Sequence, residues 1–236
     1  MSTPHTLTVL CARAMHAPMQ QLTDAFAAAG GPKVVLTFGT VGALKARVAA
    51  GETADVVIAS VALIDEWERS GAVAAASRAM LGRTSIGIAG RAGAGSPDVA
   101  TVEAFRQALL SARAIAVTDP AAGGSAGVYL PELFRRLGIA AEIEPKLKRQ
   151  RGGDEVAACV ACGEAEIGMT LISEILPVAG AVVIGPLPPG AAYDVAYAAG
   201  ISAASGCKAA AADLIRFLRR PQARPIWQAA GFVAAD

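Results

Sequence analysis

The pattern of hydrophobic and polar residues centres on one stretch, residues 114–137. Four apolar residues, 114–117, predict a buried strand, which Asp119 and Pro120 end. A loop of small residues follows, and five apolar residues then recur at helical spacing: Val128, Leu130, Leu133, Phe134 and Leu137. The first turn of a helix exposes unpaired N–H groups and the positive end of the helix dipole, so the stretch predicts an anion site. An ordinary strand-to-helix connection is the alternative interpretation.

Strands alternate with helices along the rest of the chain. The pattern predicts strands at 6–12, 33–38, 55–60, 85–89, 141–145, 167–170, 182–184 and 195–201. Such alternation is typical of mainly parallel sheets flanked by helices. We therefore expect an α/β protein of two lobes, with residues 1–82 and 196–236 in the first and 83–195 in the second. The ligand cleft is expected between the lobes.

Composition and charge exclude several classes of function. The chain has 21 basic and 20 acidic residues, so it lacks the charge excess typical of proteins that bind nucleic acid or membrane surfaces. No apolar run reaches the roughly 18 residues that a membrane span needs. The N-terminus has no basic segment followed by a long apolar run, which favours a cytoplasmic protein, or a periplasmic one whose export signal was removed.

Four cysteines are present, two of them in a CxxC pattern at Cys159 and Cys162. A zinc site needs a second pair of ligands, and a redox motif needs a helix N-terminus, whereas this pattern lies inside a helical run. We interpret both as small apolar helix residues. No metal and no cofactor are predicted.

Ligands of open α/β sheets bind beyond the carboxyl ends of the strands. The loops expected there supply the candidate ligand-binding residues: Arg13, Ala14, Met15, Thr40, Val41, Ser60, Ser125, Ala126, Gly127, Gly153 and Thr170. The Arg13 guanidinium is suited to gripping a carboxylate through two parallel hydrogen bonds. Thr40 and Ser125 are equally suited to capping their helices. A basic run at 146–151 is interpreted as a mostly solvated loop with one residue facing the ligand.

Two residues are candidate catalytic bases. His16 follows the first loop and is one of only two histidines, and imidazole titrates near neutral pH. Glu174, shortly after Thr170, is the rival. A loop histidine and a solvated glutamate are the alternative interpretations.

Several segments carry a resemblance that covers nearly the whole chain: TVLCARAM, TFGTVGALKARVAAGETADVVIAS, GGSAGVYLPELFRRLGI, ACGEAEIGMTLISEI and LIRFLRRPQARPIWQAAGF. Together they resemble the molybdate-binding type of periplasmic solute-binding protein, which has a type II two-lobed fold. The segments RAGAGSPDVATVEAF and ISEILPVAGAVVIGPLP are closer to a branch that includes aconitate isomerase.

The resemblance also implies where an oxyanion would be held. Two serine hydroxyls and a tyrosine contact molybdate in that family, and the matching positions here are Ala14, Val41 and Leu171. The backbone near Ala126 and the loop 153–156 remain as donors. Losing a neutral donor at a buried oxyanion costs about 1–3 kcal/mol, which argues against molybdate.

Three functions are therefore considered. The first is a protein that closes over a small anion, with an organic polycarboxylate as the expected ligand. The second is an isomerase that moves a proton between carbons of an unsaturated tricarboxylate. The third is a molybdate or oxyanion receptor of an ABC transporter; a transporter partner is not favoured, because no export signal is visible.

Overall fold

The computed structural model describes residues 6–233. Nine strands lie in this range: β1 (Leu7–Ala12), β2 (Val34–Gly39), β3 (Val56–Ser60), β4 (Ala79–Arg91), β5 (Ile115–Thr118), β6 (Leu147–Gln150), β7 (Ile167–Leu171), β8 (Ala181–Pro186) and β9 (Asp194–Ile201). The same range holds ten α-helices: α1 (His16–Ala28), α2 (Val41–Ala49), α3 (Val61–Arg69), α4 (Val102–Ser111), α5 (Ser125–Arg136), α6 (Ala140–Ile143), α7 (Gly153–Ala161), α8 (Ile172–Ile175), α9 (Lys208–Leu218) and α10 (Arg224–Ala229). None of these described helices is both long and apolar enough to cross a bilayer.

Contacts between residues divide the described chain into two units. Unit 1 consists of residues 6–83 and 195–233, and unit 2 consists of residues 84–194. The chain passes from unit 1 to unit 2 within β4 and returns at the start of β9.

Unit 1 is built on the strand order β2–β1–β3–β9. β1 is parallel to β2 and β3, whereas β9 is antiparallel to β3. The predicted return of residues 195–201 to the first sheet is thereby confirmed. Since Ala12 lies opposite Gly39, the loops that follow the three parallel strands begin at one edge of the sheet.

Unit 2 has the strand order β8–β4–β7–β5–β6. β5 is parallel to β6 and β7, and β4 is antiparallel to β7 and β8. Helix α7 packs closely on this sheet. A Cβ atom on Gly168 would lie only 2.8 Å from Val160 Cγ2, so the lack of a side chain there permits the contact. Buried Val156, Val160 and Ile175 belong to the resulting core.

One predicted strand, at residues 141–145, is wrong. Those residues form α6 and part of a 3-10 turn, and the strand lies instead at Leu147–Gln150, inside the predicted basic loop. β6 is the last strand of the order and pairs with β5 alone. An edge strand tolerates charged residues such as Lys148 and Arg149, so it lacks the apolar alternation by which strands are found in a sequence.

Asp55 joins three segments of unit 1. Its Oδ2 accepts hydrogen bonds from the Thr8 N–H (2.9 Å) and hydroxyl (3.0 Å), and its Oδ1 accepts one from the Ser205 hydroxyl (2.8 Å). Because hydrogen bonds to a charged group are among the stronger ones, we predict that Asp55→Ala lowers the free energy of unfolding by about 3 kcal/mol. Urea denaturation measures this change.

The matched control is Asp65→Ala. Asp65 pairs with Arg78 at 2.7 Å, with both side chains over a third exposed. Exposed pairs contribute at most about 1 kcal/mol, so this variant should unfold close to the wild-type midpoint. Equal losses in the two variants would contradict the role given to Asp55.

Candidate functional site

The carboxyl ends of three parallel strands meet at one edge of unit 2. β5, β6 and β7 each end there, and the chain then continues into a helix, α5, α7 and α8 respectively. Six of the predicted site residues lie on this edge: Ser125, Ala126, Gly127, Gly153, Thr170 and Glu174. We refer to it as the unit 2 edge.

The first turn of α5 presents backbone donors at the unit 2 edge. After β5, Asp119 Oδ1 accepts a hydrogen bond from the Ala121 N–H (2.9 Å), and Gly123 takes the left-handed conformation at φ +66°. Gly124 is the N-cap and has no side chain with which to cap the helix. The N–H groups of Ser125, Ala126 and Gly127 therefore have no acceptor within the helix, which suits them to an anion.

Close packing fixes the position of that first turn. A Cβ atom on residue 127 would lie 2.9 Å from the Asp119 carbonyl oxygen and 3.0 Å from that of Thr118. Real Cβ atoms do not approach so closely, so Gly127 lets α5 start directly on the end of β5. The donors of this turn are thereby held by the sheet.

The second helix at this edge is arranged differently. Thr170 is fully buried, and its hydroxyl donates a 2.6 Å hydrogen bond to Glu174 Oε2. A Cβ atom on Gly153, the first residue of α7, would overlap both that carboxylate oxygen and Thr170 Oγ1. The half-buried Glu174 carboxylate thus lies against the N-terminus of α7, where negative charge is favourable. The predicted ligand contact at Gly153 stays a prediction.

Sequence reasoning passed over Ser173, the neighbour of Glu174. Its side chain is 3% exposed and its hydroxyl has no hydrogen-bond partner among the described residues. In the sequence, its only distinguishing feature is that it lies in the segment ISEILPVAGAVVIGPLP, which carries part of the family resemblance. Leaving a hydroxyl buried without a partner costs free energy, so a polar group at this point is uncommon.

The predicted residues of unit 1 share an edge of their own sheet. Arg13, Ala14 and Met15 form a 3-10 turn after β1, with the Ala14 and Met15 side chains buried. Thr40 caps α2 by accepting a hydrogen bond from the Ala43 N–H at 3.1 Å. Helix capping was one of the two roles predicted for this residue. Val41 is the first residue of α2, and Ser60 precedes α3 without capping it. Contacts of these residues with a ligand stay predictions.

The two candidate bases lie in different units. His16 is the exposed first residue of α1, and its ring packs against Phe38 with centroids 4.5 Å apart. The Glu174 carboxylate, in contrast, accepts the hydrogen bond from the buried Thr170 hydroxyl.

The basic run 146–151 divides into residues with structural partners and residues without. Lys146 donates to the Leu110 carbonyl oxygen, and Arg149 pairs with Glu144 at 2.7 Å. Arg151 is exposed, precedes the N-terminus of α7, and its side chain has no partner among the described residues. It is the cation that unit 2 offers nearest in sequence to Gly153.

The CxxC cysteines differ in environment. Cys159 is buried, and burial, followed by the Glu164 charge, raises the pKa of its thiol. Cys162 is exposed near the end of α7, so the interpretation as apolar helix residues holds for Cys159 alone. Redox cysteines have lowered pKa values, so a raised one argues against that chemistry.

A cavity of about 500 Å³ lies at the opposite edge of unit 2, where β5 and β7 begin. Its lining includes Arg91, Arg113 and Glu166. Arg113 pairs with Glu166 at 2.5 Å and lowers the pKa of that carboxyl group through backbone and side-chain hydrogen bonds. None of the predicted ligand residues lines it.

The contact at Gly153 yields a stability prediction. Gly153→Ala should lower the free energy of unfolding by about 1–3 kcal/mol, because the added methyl group must displace Glu174 and Thr170. Gly95→Ala, where a Cβ atom would meet nothing within 4 Å, is the control and should change stability little. Chemical denaturation compares the two; equal effects would contradict the packing described.

Comparison with known proteins identifies the family. The family model described as bacterial extracellular solute-binding protein matches residues 7–233. An aconitate isomerase from Pseudomonas sp. is 32% identical over 218 residues, which covers 90% of this chain and 82% of that protein.

Solved structures confirm the fold. The periplasmic molybdate-binding protein of Azotobacter vinelandii is similar with a TM-score of 0.80 and 20% identity, covering 98% of this chain and 100% of that one. The sulfate-binding protein of Mycobacterium tuberculosis H37Rv is similar with a TM-score of 0.76 and 18% identity, covering 98% of this chain and 87% of that one. At these identities the likeness shows the α/β fold of type II periplasmic binding proteins.

The expectation of a cytoplasmic protein finds no support, because the matching family is described as extracellular. The match covers residues 7–233, nearly all of the chain, and the fold agrees with it. The chain belongs to the bacterial extracellular solute-binding protein family.

Proposed function

We propose that this protein binds a small organic anion with at least two carboxylates, one of them on the backbone donors of Ser125, Ala126 and Gly127. The observation that carries the proposal is the first turn of α5, which lacks both a side-chain cap and an acidic residue. Donors fixed by the sheet lose little freedom when they bind, which favours affinity.

An organic ligand is favoured over molybdate or sulfate by what the site lacks. The positions that match the serine and tyrosine ligands of molybdate-binding proteins hold Ala14, Val41 and Leu171, which carry no hydroxyl. The neighbouring hydroxyl of Thr40 is engaged as the cap of α2. A bare oxyanion would therefore miss several neutral donors, whereas guanidinium groups such as Arg151, and Arg13 by prediction, suit separate carboxylates.

A thermal-shift screen tests this ligand class. Binding to the native state alone adds about 2.7 kcal/mol at a hundredfold excess over Kd, which for a chain of this size raises Tm by about 5–10 °C. Tricarballylate, citrate or trans-aconitate should give the larger shifts, and molybdate and sulfate the smaller ones. A larger shift with molybdate than with every polycarboxylate would point to an oxyanion receptor of an ABC transporter instead.

Charge variants refine the same screen. Arg151→Gln should reduce the polycarboxylate shift, whereas Lys148→Gln, an exposed basic residue three positions earlier, should leave it unchanged. Arg13→Gln tests the contribution predicted for unit 1. Equal effects of Arg151→Gln and Lys148→Gln would mean that only net charge matters.

A second candidate function is isomerisation of an unsaturated tricarboxylate. The 32% identical relative is named aconitate isomerase, and the unit 2 edge contains a carboxylate, Glu174, held by Thr170. In such a reaction a base takes a proton from a carbon next to a carboxylate, and a proton returns to the far carbon of the allylic system. Backbone donors of α5 would stabilise the charge that develops on the carboxylate oxygens.

Glu174 is the base proposed here, because its carboxylate is held by Thr170 at the unit 2 edge, where the α5 donors also lie, whereas His16 lies in unit 1. Incubation with cis- or trans-aconitate in heavy water should show isomer interconversion by proton NMR, with deuterium in the product. Glu174→Gln should slow turnover by about 10²–10⁴-fold, the usual contribution of a general base, whereas His16→Gln should retain it. A thermal shift with aconitate but no interconversion at high protein concentration would leave binding as the function.

A further inference from the structure

The outer side of β6, which we call the β6 edge, carries backbone groups that point away from the sheet. Among the described strands β6 is the last in the order and pairs with β5 alone. The Gln150 carbonyl oxygen accepts a hydrogen bond from the Asp119 N–H at 2.7 Å, so Gln150 and, by alternation, Lys148 turn their backbone groups toward β5. Arg149 therefore turns its N–H and C=O outward. Such groups are a template for a further strand.

An apolar cavity opens beside the β6 edge. Its volume is about 200 Å³, and its wall includes the buried residues Val117, Leu130 and Phe134 together with Leu147 and Arg149 of β6. Because alternate residues of a strand share a face, Leu147 and Arg149 lie on the same face of β6. A side chain on that face of an added strand would lie next to both. An apolar cavity of about 150 Å³ takes up benzene, so this one has room for a phenyl ring.

The charges at the β6 edge favour an acidic partner. Lys148 is exposed, and its side chain has no hydrogen bond or ion pair among the described residues. Arg149 donates from Nη2 to both carboxylate oxygens of Glu144, at 2.7 and 2.9 Å, so those two charges balance each other. The Lys148 charge therefore suits a carboxylate on an added strand. A second copy of this chain fits less well, since pairing two β6 edges would bring their cations together.

We propose that the β6 edge binds an extended segment of an acidic partner protein as an additional strand. One apolar side chain of the segment would enter the cavity, and the acidic residues on either side of it would face Lys148. In this mode of recognition main-chain hydrogen bonds supply affinity, and the pocket supplies specificity. The β6 edge and its cavity lie within unit 2 and do not include the α5 donors, so this interaction would be separate from the proposed anion binding.

An NMR titration of the isotope-labelled protein tests the proposal, with the end-blocked peptide Thr-Glu-Phe-Glu-Thr as probe. Saturable shifts are expected for the Arg149 amide and for the Leu130 methyl groups. A peptide with Lys in place of both Glu residues should bind at least about tenfold more weakly, a change of about 1.4 kcal/mol. A peptide with Ala in place of Phe should lose a similar factor, because nothing would fill the cavity.

Two substitutions at one position separate the backbone of β6 from its side chain. Arg149→Pro removes the outward N–H but spares the hydrogen bonds to β5, since proline is tolerated on the free side of an edge strand. It should weaken binding of the peptide at least about tenfold, whereas Arg149→Ala, the matched control, keeps the N–H and should change it less than about threefold. Ala140→Leu fills the cavity from α6 and should also lower the affinity about tenfold. It decides the test if Arg149→Pro does not fold.

The absence of saturable shifts at Arg149 and Leu130 overturns the proposal, as does equally tight binding of the peptide that carries Lys. Equal effects of Arg149→Pro and Arg149→Ala would also contradict it, because the outward N–H would then play no part. Self-association of the protein that Arg149→Pro abolishes would assign the β6 edge to a second copy instead. Lys148→Gln should weaken binding of the peptide and leave the polycarboxylate thermal shift unchanged, so either proposal can fail without the other.

Discussion

The contact between the Glu174 carboxylate and the first residue of α7 is the constraint on which the candidate site depends. It requires a buried hydroxyl at Thr170 and the lack of a side chain at Gly153. Together these place a negative charge at one of the two helix N-termini of the unit 2 edge. The other helix, α5, is held equally closely to its strand by Gly127 but carries no acid in its first turn.

This asymmetry accounts for the anion chemistry proposed for the site. The first turn of α5 has neither a side-chain cap nor an acidic residue, so its backbone donors suit an anionic ligand. The donors lie on a turn fixed by close packing, and the exposed Arg151 lies two residues before the start of α7. In the binding proposed, one carboxylate of an organic acid would accept hydrogen bonds from these donors.

Much of this was predictable because local chemistry dictates it. Small residues between an apolar run and a helical repeat predicted the α5 turn, and the same pattern placed the strands of unit 1 within one or two residues. The edge strand β6 was missed because its charged residues lack alternation. The contact of Glu174 with Gly153 was also beyond prediction, since 21 positions separate the two residues and only the sheet order brings them together. How the ligand contacts Arg13 and the rest of unit 1 stays a prediction.

The central claim is that a carboxylate binds the backbone donors of the α5 turn. Amide chemical shifts in a titration of the isotope-labelled protein with tricarballylate test it most directly. The account predicts saturable shifts of the Ser125, Ala126 and Gly127 amides, among the largest of unit 2, because a bound carboxylate would accept hydrogen bonds from them. Saturable binding that leaves these three amides unshifted would contradict it.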